Sequence, residues 1–199
     1  MTEQRSTPSS GRRRAIRPSV HREPTGALEV ARHYIGDAIY GANDGIITTF
    51  AVVAGVTGGS LTARAVLIVG AANLIADGLS MGVGNYLSIR SNESALEAQG
   101  LPEQEARPVR HGVATFLAFA GAGALPLVPY VLPDLGIDRF SLSTSLTLAA
   151  LFGVGASRAV VTVDCWWVAG LEMLLLGMIV ASAAYGSGFF VAGVIDSGG

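Results

Sequence analysis

Apolar residues run in long blocks over 38–59, 65–89, 112–132, 142–157 and 166–195, instead of recurring on one side of each helical turn. At 1.5 Å of rise per residue, roughly 20 residues cross a hydrocarbon core. Four blocks meet that length, and 142–157 reaches it by drawing in residues 138–141 or those after Arg158. The pattern predicts an all-α, polytopic membrane protein with five transmembrane helices over about 38–59, 65–89, 112–132, 140–157 and 166–195. A soluble bundle would return a charged residue to its exposed face every three or four positions, and these blocks do not. Composition agrees, with half of the residues hydrophobic and 14% charged, where soluble domains carry about 25% charged.

The polar connections set the organisation: a basic, disordered tail over 1–24, a transmembrane domain over 25–196, and a cytoplasmic loop over 90–110. Residues 25–36 mix apolar and charged positions and read as a short interfacial helix leading into span one. Residues 92–99 extend helix two, which Gly100 and Pro102 end. Pro126 and Pro129 kink span three. Eleven of the thirteen basic residues, all arginine, precede span one or lie in the loops after spans two and four; only Arg64 and Arg139 fall opposite. That bias puts the N-terminus in the cytoplasm and the C-terminus outside. Residues 1–22 hold no apolar stretch of the kind a secretory signal needs. A net charge of −2 gives no reason to expect a nucleic-acid partner. One cysteine, Cys165, excludes an internal disulfide and a cysteine-based metal cluster. Gly41 with Gly45, Gly55 with Gly59, and Gly78 with Gly82 each share a helix face, allowing close approach within a subunit or between subunits.

Against this apolar background a few polar residues stand out. Span one holds Asn43 and Asp44. Span two holds Asn73, Asp77, Met81 and Asn85, each four residues from the next, so their side chains form one slowly turning stripe. Span five holds Glu172. A charge at membrane depth costs about 2.5–3.5 kcal/mol even on lenient scales and marks a functional path. Three such acids with no base inside the spans are left to protonation, backbone donors or a bound cation. Helices one and two, joined by a short turn, are expected to be antiparallel neighbours, so that Asp44 reaches Asp77 and Met81. Carboxylates and amide oxygens with one thioether suit Fe(II), Mn(II), Co(II) or Zn(II) better than Mg(II) or Ca(II); Met81 as ordinary packing is the alternative. Protons compete with a divalent metal for the same carboxylates, which supplies the chemistry of antiport. Glu93 and Glu97, four apart after span two, form either a small metal-collecting face or a solvated helix extension. His21, His33 and His111 lie outside the spans and read as interfacial residues.

The run Tyr40-Gly41-Ala42-Asn43-Asp44-Gly45-Ile46-Ile47, followed by Ala76-Asp77-Gly78-Leu79-Ser80-Met81-Gly82-Val83-Gly84-Asn85, resembles the vacuolar iron transporter family. Leu125-Pro126-Leu127-Val128-Pro129-Tyr130 and Gly170-Leu171-Glu172-Met173 extend the resemblance over about 36–194. It implies a five-helix protomer working as a homodimer and exchanging cytosolic Fe(II), or Mn(II), for protons. It places Asp44 on the family's essential acid, Met81 on its metal-contacting methionine, Asp77 one turn from that methionine and Glu172 on an acid of the last helix. Two features depart from the family pattern. The glutamate-rich cytoplasmic domain that plant relatives insert between spans two and three is reduced to 90–110, and Asn85 stands where many relatives carry Glu.

The expectation is therefore a proton-coupled divalent-metal transporter moving Fe(II) out of the cytoplasm, with metal as cargo and no prosthetic group. A metal-responsive scaffold or sensor is the alternative. The paired Glu-x-x-His signatures of di-iron bundles are absent, which argues against an enzyme. The compact form and arginine-only basic set fit a multi-pass protein of a prokaryotic inner (cell) membrane.

Overall fold

The computed structural model describes residues 18–22, 24–133, 136–159 and 165–198. Most of the tail expected over 1–24, including Arg5, Arg12, Arg13, Arg14 and Arg17, lies outside the described residues. Within them five helical segments are long and apolar enough to cross a membrane, and no strand forms.

Helix α1 runs Ala27–Gly58. The interfacial segment expected over 25–36 is thus continuous with span one: no proline interrupts 27–58, so nothing ends the hydrogen-bond ladder at the membrane surface. Helix α2 runs Ala63–Ala98. The Thr62 hydroxyl caps its start by accepting from the Ala65 amide, a contact of the kind that satisfies an orphan donor. Its end comes two residues before Gly100, whose φ of 71° is costly for any residue with a Cβ.

The third span is broken. Helix α3, Pro108–Gly123, passes into a 3₁₀ turn at Leu125–Leu127 and a last turn, α4, Val128–Val131. Pro126 and Pro129 have no N–H to donate, so the α-helical ladder cannot continue through them. Ser143 of the next helix donates to the Pro126 carbonyl at 2.7 Å and ties the break to its neighbour, as membrane proline kinks require. Helix α5, Arg139–Arg158, is capped by Asp138, whose carboxylate accepts from the Ser141 amide at 2.8 Å. Helix α6 spans Trp166–Gly198.

Helix α3 wedges against both α1 and α2, while α6 packs on α1 and α5. Glycine permits each of these close approaches. A Cβ at Gly45 would strike the Phe119 carbonyl, one at Gly82 would come within 2.7 Å of the Gly112 carbonyl, and one at Gly58 would strike the Tyr185 carbonyl. Gly45 and Gly82 are therefore spent inside the protomer, bringing backbones together. Ile46, Val53, Phe119 and Leu151 are fully buried in the core, whereas Leu79, Val83 and Leu87 of α2 and Phe189, Phe190 and Ile195 of α6 face outward, as lipid-facing residues do.

Candidate metal site

The four-residue spacing on α2 keeps its stripe together: Asn73, Asp77, Met81 and Asn85 are all half-buried. Next to them Gly78 and Gly82 are buried against α3, and on the other side Ala76, Ser80 and Gly84 are exposed. The stripe therefore lies on the rim between the bundle core and one outer face.

Asp37 fixes how α1 meets this rim. Its carboxylate accepts from Asn85 Nδ2 at 2.7 Å, and the same amide nitrogen lies 2.8 Å from Thr115 Oγ1 on α3. Helices α1 and α2 are antiparallel, so two turns on from Asp37, at Asp44, the facing level of α2 is two turns back from Asn85, between Asp77 and Met81. Each step is about 10 Å along the axis. Asp44 and Asp77 accordingly stand within Coulombic range of each other. Asn43 Oδ1, beside Asp44, and Asn73 Nδ2, one turn before Asp77, are buried without a hydrogen-bond partner. A buried polar atom in that condition costs about 1–3 kcal/mol, and a cation would relieve it at the Asn43 oxygen.

A groove of about 380 Å³, lined by Tyr40, Ser80, Met81, Gly84, Asn85 and Ser88, opens beside the stripe. A second polar groove, about 430 Å³ and lined by Ser88, Asn92, Glu93, Gln104, Glu105 and His111 among others, shares Ser88 with it. Together they trace a polar track from the Met81 level to the end of the bundle where the 99–107 loop lies.

Other expected site residues lie elsewhere or act differently. Glu172 sits on α6, which packs on α1 and α5 rather than against α2, and it is exposed. Its Oε2 lies 3.4 Å from Arg158 Nη1 in the last turn of α5. A base from just beyond the expected end of span four thus reaches the acid of span five, because α5 and α6 are neighbours and the arginine side chain is long. Glu93 Oε1 accepts from the Gln104 and Glu105 amides at 3.1 and 2.8 Å, so it shapes the loop, while Glu97, one turn on, is exposed.

Two sets of residues escaped the sequence reading. Asp37 fell one position before the expected start of span one, although it lies four residues after His33 and two turns before Asp44. The histidines, read as interfacial, converge: His111 Nδ1 is 2.5 Å from Asp37 Oδ2, and His21, His33 and His111 all approach Glu105. Burial tends to raise the pKa of Glu105, but the Arg107 amide together with His111 and His21 outweighs it and holds the carboxyl below its usual range.

Comparison with known proteins gives a consistent picture. A family model described as the VIT family matches residues 35–106 and 95–189. The chain is 36% identical over 104 residues to a vacuolar iron transporter of Toxoplasma gondii, which covers 48% of this chain and 34% of that protein. It is 29% identical over 189 residues to vacuolar iron transporter homolog 1 of Oryza sativa subsp. japonica, covering 81% of this chain and 75% of that one. With vacuolar iron transporter 1 of Arabidopsis thaliana the identity is 24% over 212 residues, covering 78% and 85% of the two chains.

Proposed function

The chain belongs to the VIT family, and from that premise we propose that it is a proton-coupled transporter that moves Fe(II), and also Mn(II), out of the cytoplasm. The observation that carries this reading is the rim of α2: Asp77 and Met81 half-buried, at the level of Asp44, beside a polar groove. The names of the relatives support iron as cargo. The named relatives are transporters, and membership of their family places the chain among transporters rather than enzymes.

In the proposed mechanism Asp44 and Asp77 supply anionic oxygens, Met81 a soft sulfur, and Asn43, Asn73 and Asn85 neutral amide groups. This set favours a borderline divalent ion over Mg(II) or Ca(II). Two carboxylates in Coulombic range repel when both are ionised. A divalent ion removes that repulsion and so does a proton, and their competition couples the two fluxes. Glu93 and Glu97 act at the cytoplasmic mouth. Glu172, on α6 and within 3.4 Å of Arg158, stands apart from this set and contributes a separate acidic position for metal.

The arginine bias supports an N-terminus in the cytoplasm. The groove at Met81 is open along the exposed residues Ser80 and Gly84, which supports a homodimer closing it with a second α2. The protein is a multi-pass membrane protein. A prokaryotic cell membrane is our proposed location, on its compact form and all-arginine basic set, and membrane fractionation of the native cell tests it against the vacuolar setting for which the relatives are named.

Purified protein in liposomes, with a metal-sensitive dye inside and a pH gradient imposed, tests the function. Fe(II) flux should grow with the gradient and fall more than about tenfold in Asp44→Asn or Asp77→Asn, the equivalent of at least about 1.4 kcal/mol of lost interaction. Metal binding with no flux in a well-folded preparation would overturn transport in favour of a metal-responsive scaffold. Running Mn(II), Co(II) and Zn(II) in parallel with Met81→Leu reads the contribution of sulfur to selectivity.

A further inference from the structure

All three histidines of the chain, distant in sequence, gather around one carboxylate oxygen. Glu105 Oε2 lies 3.4 Å from His21 Nδ1, 3.3 Å from His33 Nε2 and 3.1 Å from His111 Nε2. The donor atoms of His21, His33 and Glu105 all fall within 4.8 Å of one another. With bonds of about 2.1 Å to nitrogen and oxygen, neighbouring ligand atoms of a tetrahedral metal stand roughly 3.4 Å apart. The edges from Glu105 to His21 and His33 have that length before any ion is present.

Several contacts hold the cluster. The segment before His21 is zipped to the loop by two backbone bonds of 2.9 Å, from Val20 N to Glu103 O and from Glu103 N to Pro18 O. The Arg107 amide donates to Glu105 Oε1 at 2.9 Å, leaving Oε2 turned to the rings. His111 stands between two carboxylates, its Nδ1 on Asp37 and its Nε2 towards Glu105. Yet Nε2 of His33 is buried and makes no hydrogen bond of good geometry. That is a costly state for a ring nitrogen, and a metal would satisfy it. The side chains of His21 and Glu105 are 6% and 15% exposed, sheltered enough to bind and open enough to exchange.

We propose that His21, His33 and Glu105 form a divalent-metal site at the arginine-rich end of the bundle, with His111 as a positioning residue that Asp37 orients against Glu105. Two imidazoles and a carboxylate suit Zn(II), Co(II), Fe(II) and Mn(II) and disfavour Mg(II) and Ca(II). Three protein ligands leave a coordination position open, the mark of an exchangeable site rather than a closed structural one. Glu105 and His111 also line the groove that reaches Ser88, so the site sits at the mouth of the polar track, beside Glu93. Its role as a loading point rests on the transport reading; its binding of metal does not.

The test uses the untagged full chain in detergent, titrated with Co(II) and examined by X-ray absorption at the cobalt edge, which reads imidazole ligation. With no other histidines in the chain, any imidazole signal arises here. Wild type and Asp44→Asn should both show it, even where Asp44→Asn has lost flux. Glu105→Gln and His33→Gln should lose it, with Co(II) affinity for this component falling at least about tenfold. His21→Gln, outside every helix, serves as the further variant if His33→Gln fails to fold. Absence of imidazole ligation in wild type, or its persistence in the folded variants, would overturn the site and leave the cluster as an ion-paired clasp on the N-terminal segment.

Discussion

At the scale of single residues, Asp37 joins the two ends of the polar track. One oxygen accepts from Asn85 and the other faces His111, so the same carboxylate fixes the register of α1 on α2 and the ring that orients Glu105. Hydrogen bonds to a charged group contribute about 1.5–3 kcal/mol each. Asp37→Asn should therefore lower the thermal midpoint in detergent and weaken Co(II) binding at the histidines, while Asp44→Asn alters neither; equal melting and equal cobalt affinity in Asp37→Asn would refute the bridging role. The stripe on α2 was readable in the sequence because its geometry is local, four residues to a turn. Asp37 was lost at a hydropathy boundary, since an average over apolar residues cannot tell that a charged position continues the same helix. The histidine cluster was unreadable for another reason: positions 21, 33, 105 and 111 meet only after three segments pack, and no spacing within any one of them announces it.

At the scale of helices, the five spans were legible because the length of an apolar block is set by bilayer thickness, but beyond the α1–α2 pair the neighbours of each helix were not. The short turn between α1 and α2 predicted antiparallel neighbours, and the two do pack on each other, but α3 packs more extensively on α1 because Gly45 lets the Phe119 backbone in. Gly45→Ala would press a methyl into a carbonyl that cannot move without shifting α3, so a cost at or above the usual 1–3 kcal/mol of overpacking is expected. It should appear as loss of monodisperse protein on size exclusion, and wild-type behaviour there would show that α3 yields more easily than its packing implies. The start of α5 offers a milder test with a defined sign. The amide and hydroxyl of Ser141 hold the Asp138 carboxyl below its usual pKa. A depressed folded pKa gives stability that is present above the unfolded value and lost as pH falls through the folded one. Asp138→Ala should cost about 1 kcal/mol near neutral pH, and its deficit relative to wild type should shrink as the pH falls through the carboxylate range, read by thermal melts across pH.

At the scale of the whole molecule, the two polar grooves lie on one flank and communicate through Ser88, while that flank is finished by small side chains rather than by the bulky apolar ones that meet lipid elsewhere. Ala72, Ala76, Ser80, Gly84 and Ser88 are exposed at intervals of one turn, and a Cβ at Gly84 would touch nothing within 4 Å. Residues of this size let two helices approach closely, and a second copy of α2 laid there would close the Met81 groove and bring two sets of ligands to one path. Gly84→Leu has room in a single protomer, so the fold should survive it while the dimer does not: the expected result is a monomeric, folded protein with flux near background. In a Cys165→Ser background, Gly84→Cys should instead cross-link in the bilayer on mild oxidation, because a disulfide demands Cα atoms about 4.4–6.8 Å apart. A Gly84→Leu protein that remains dimeric and fully active, together with no cross-link from Gly84→Cys, would move the subunit interface off this face and leave the groove open to lipid, a setting in which a hydrated divalent ion would have no sheltered route past Met81.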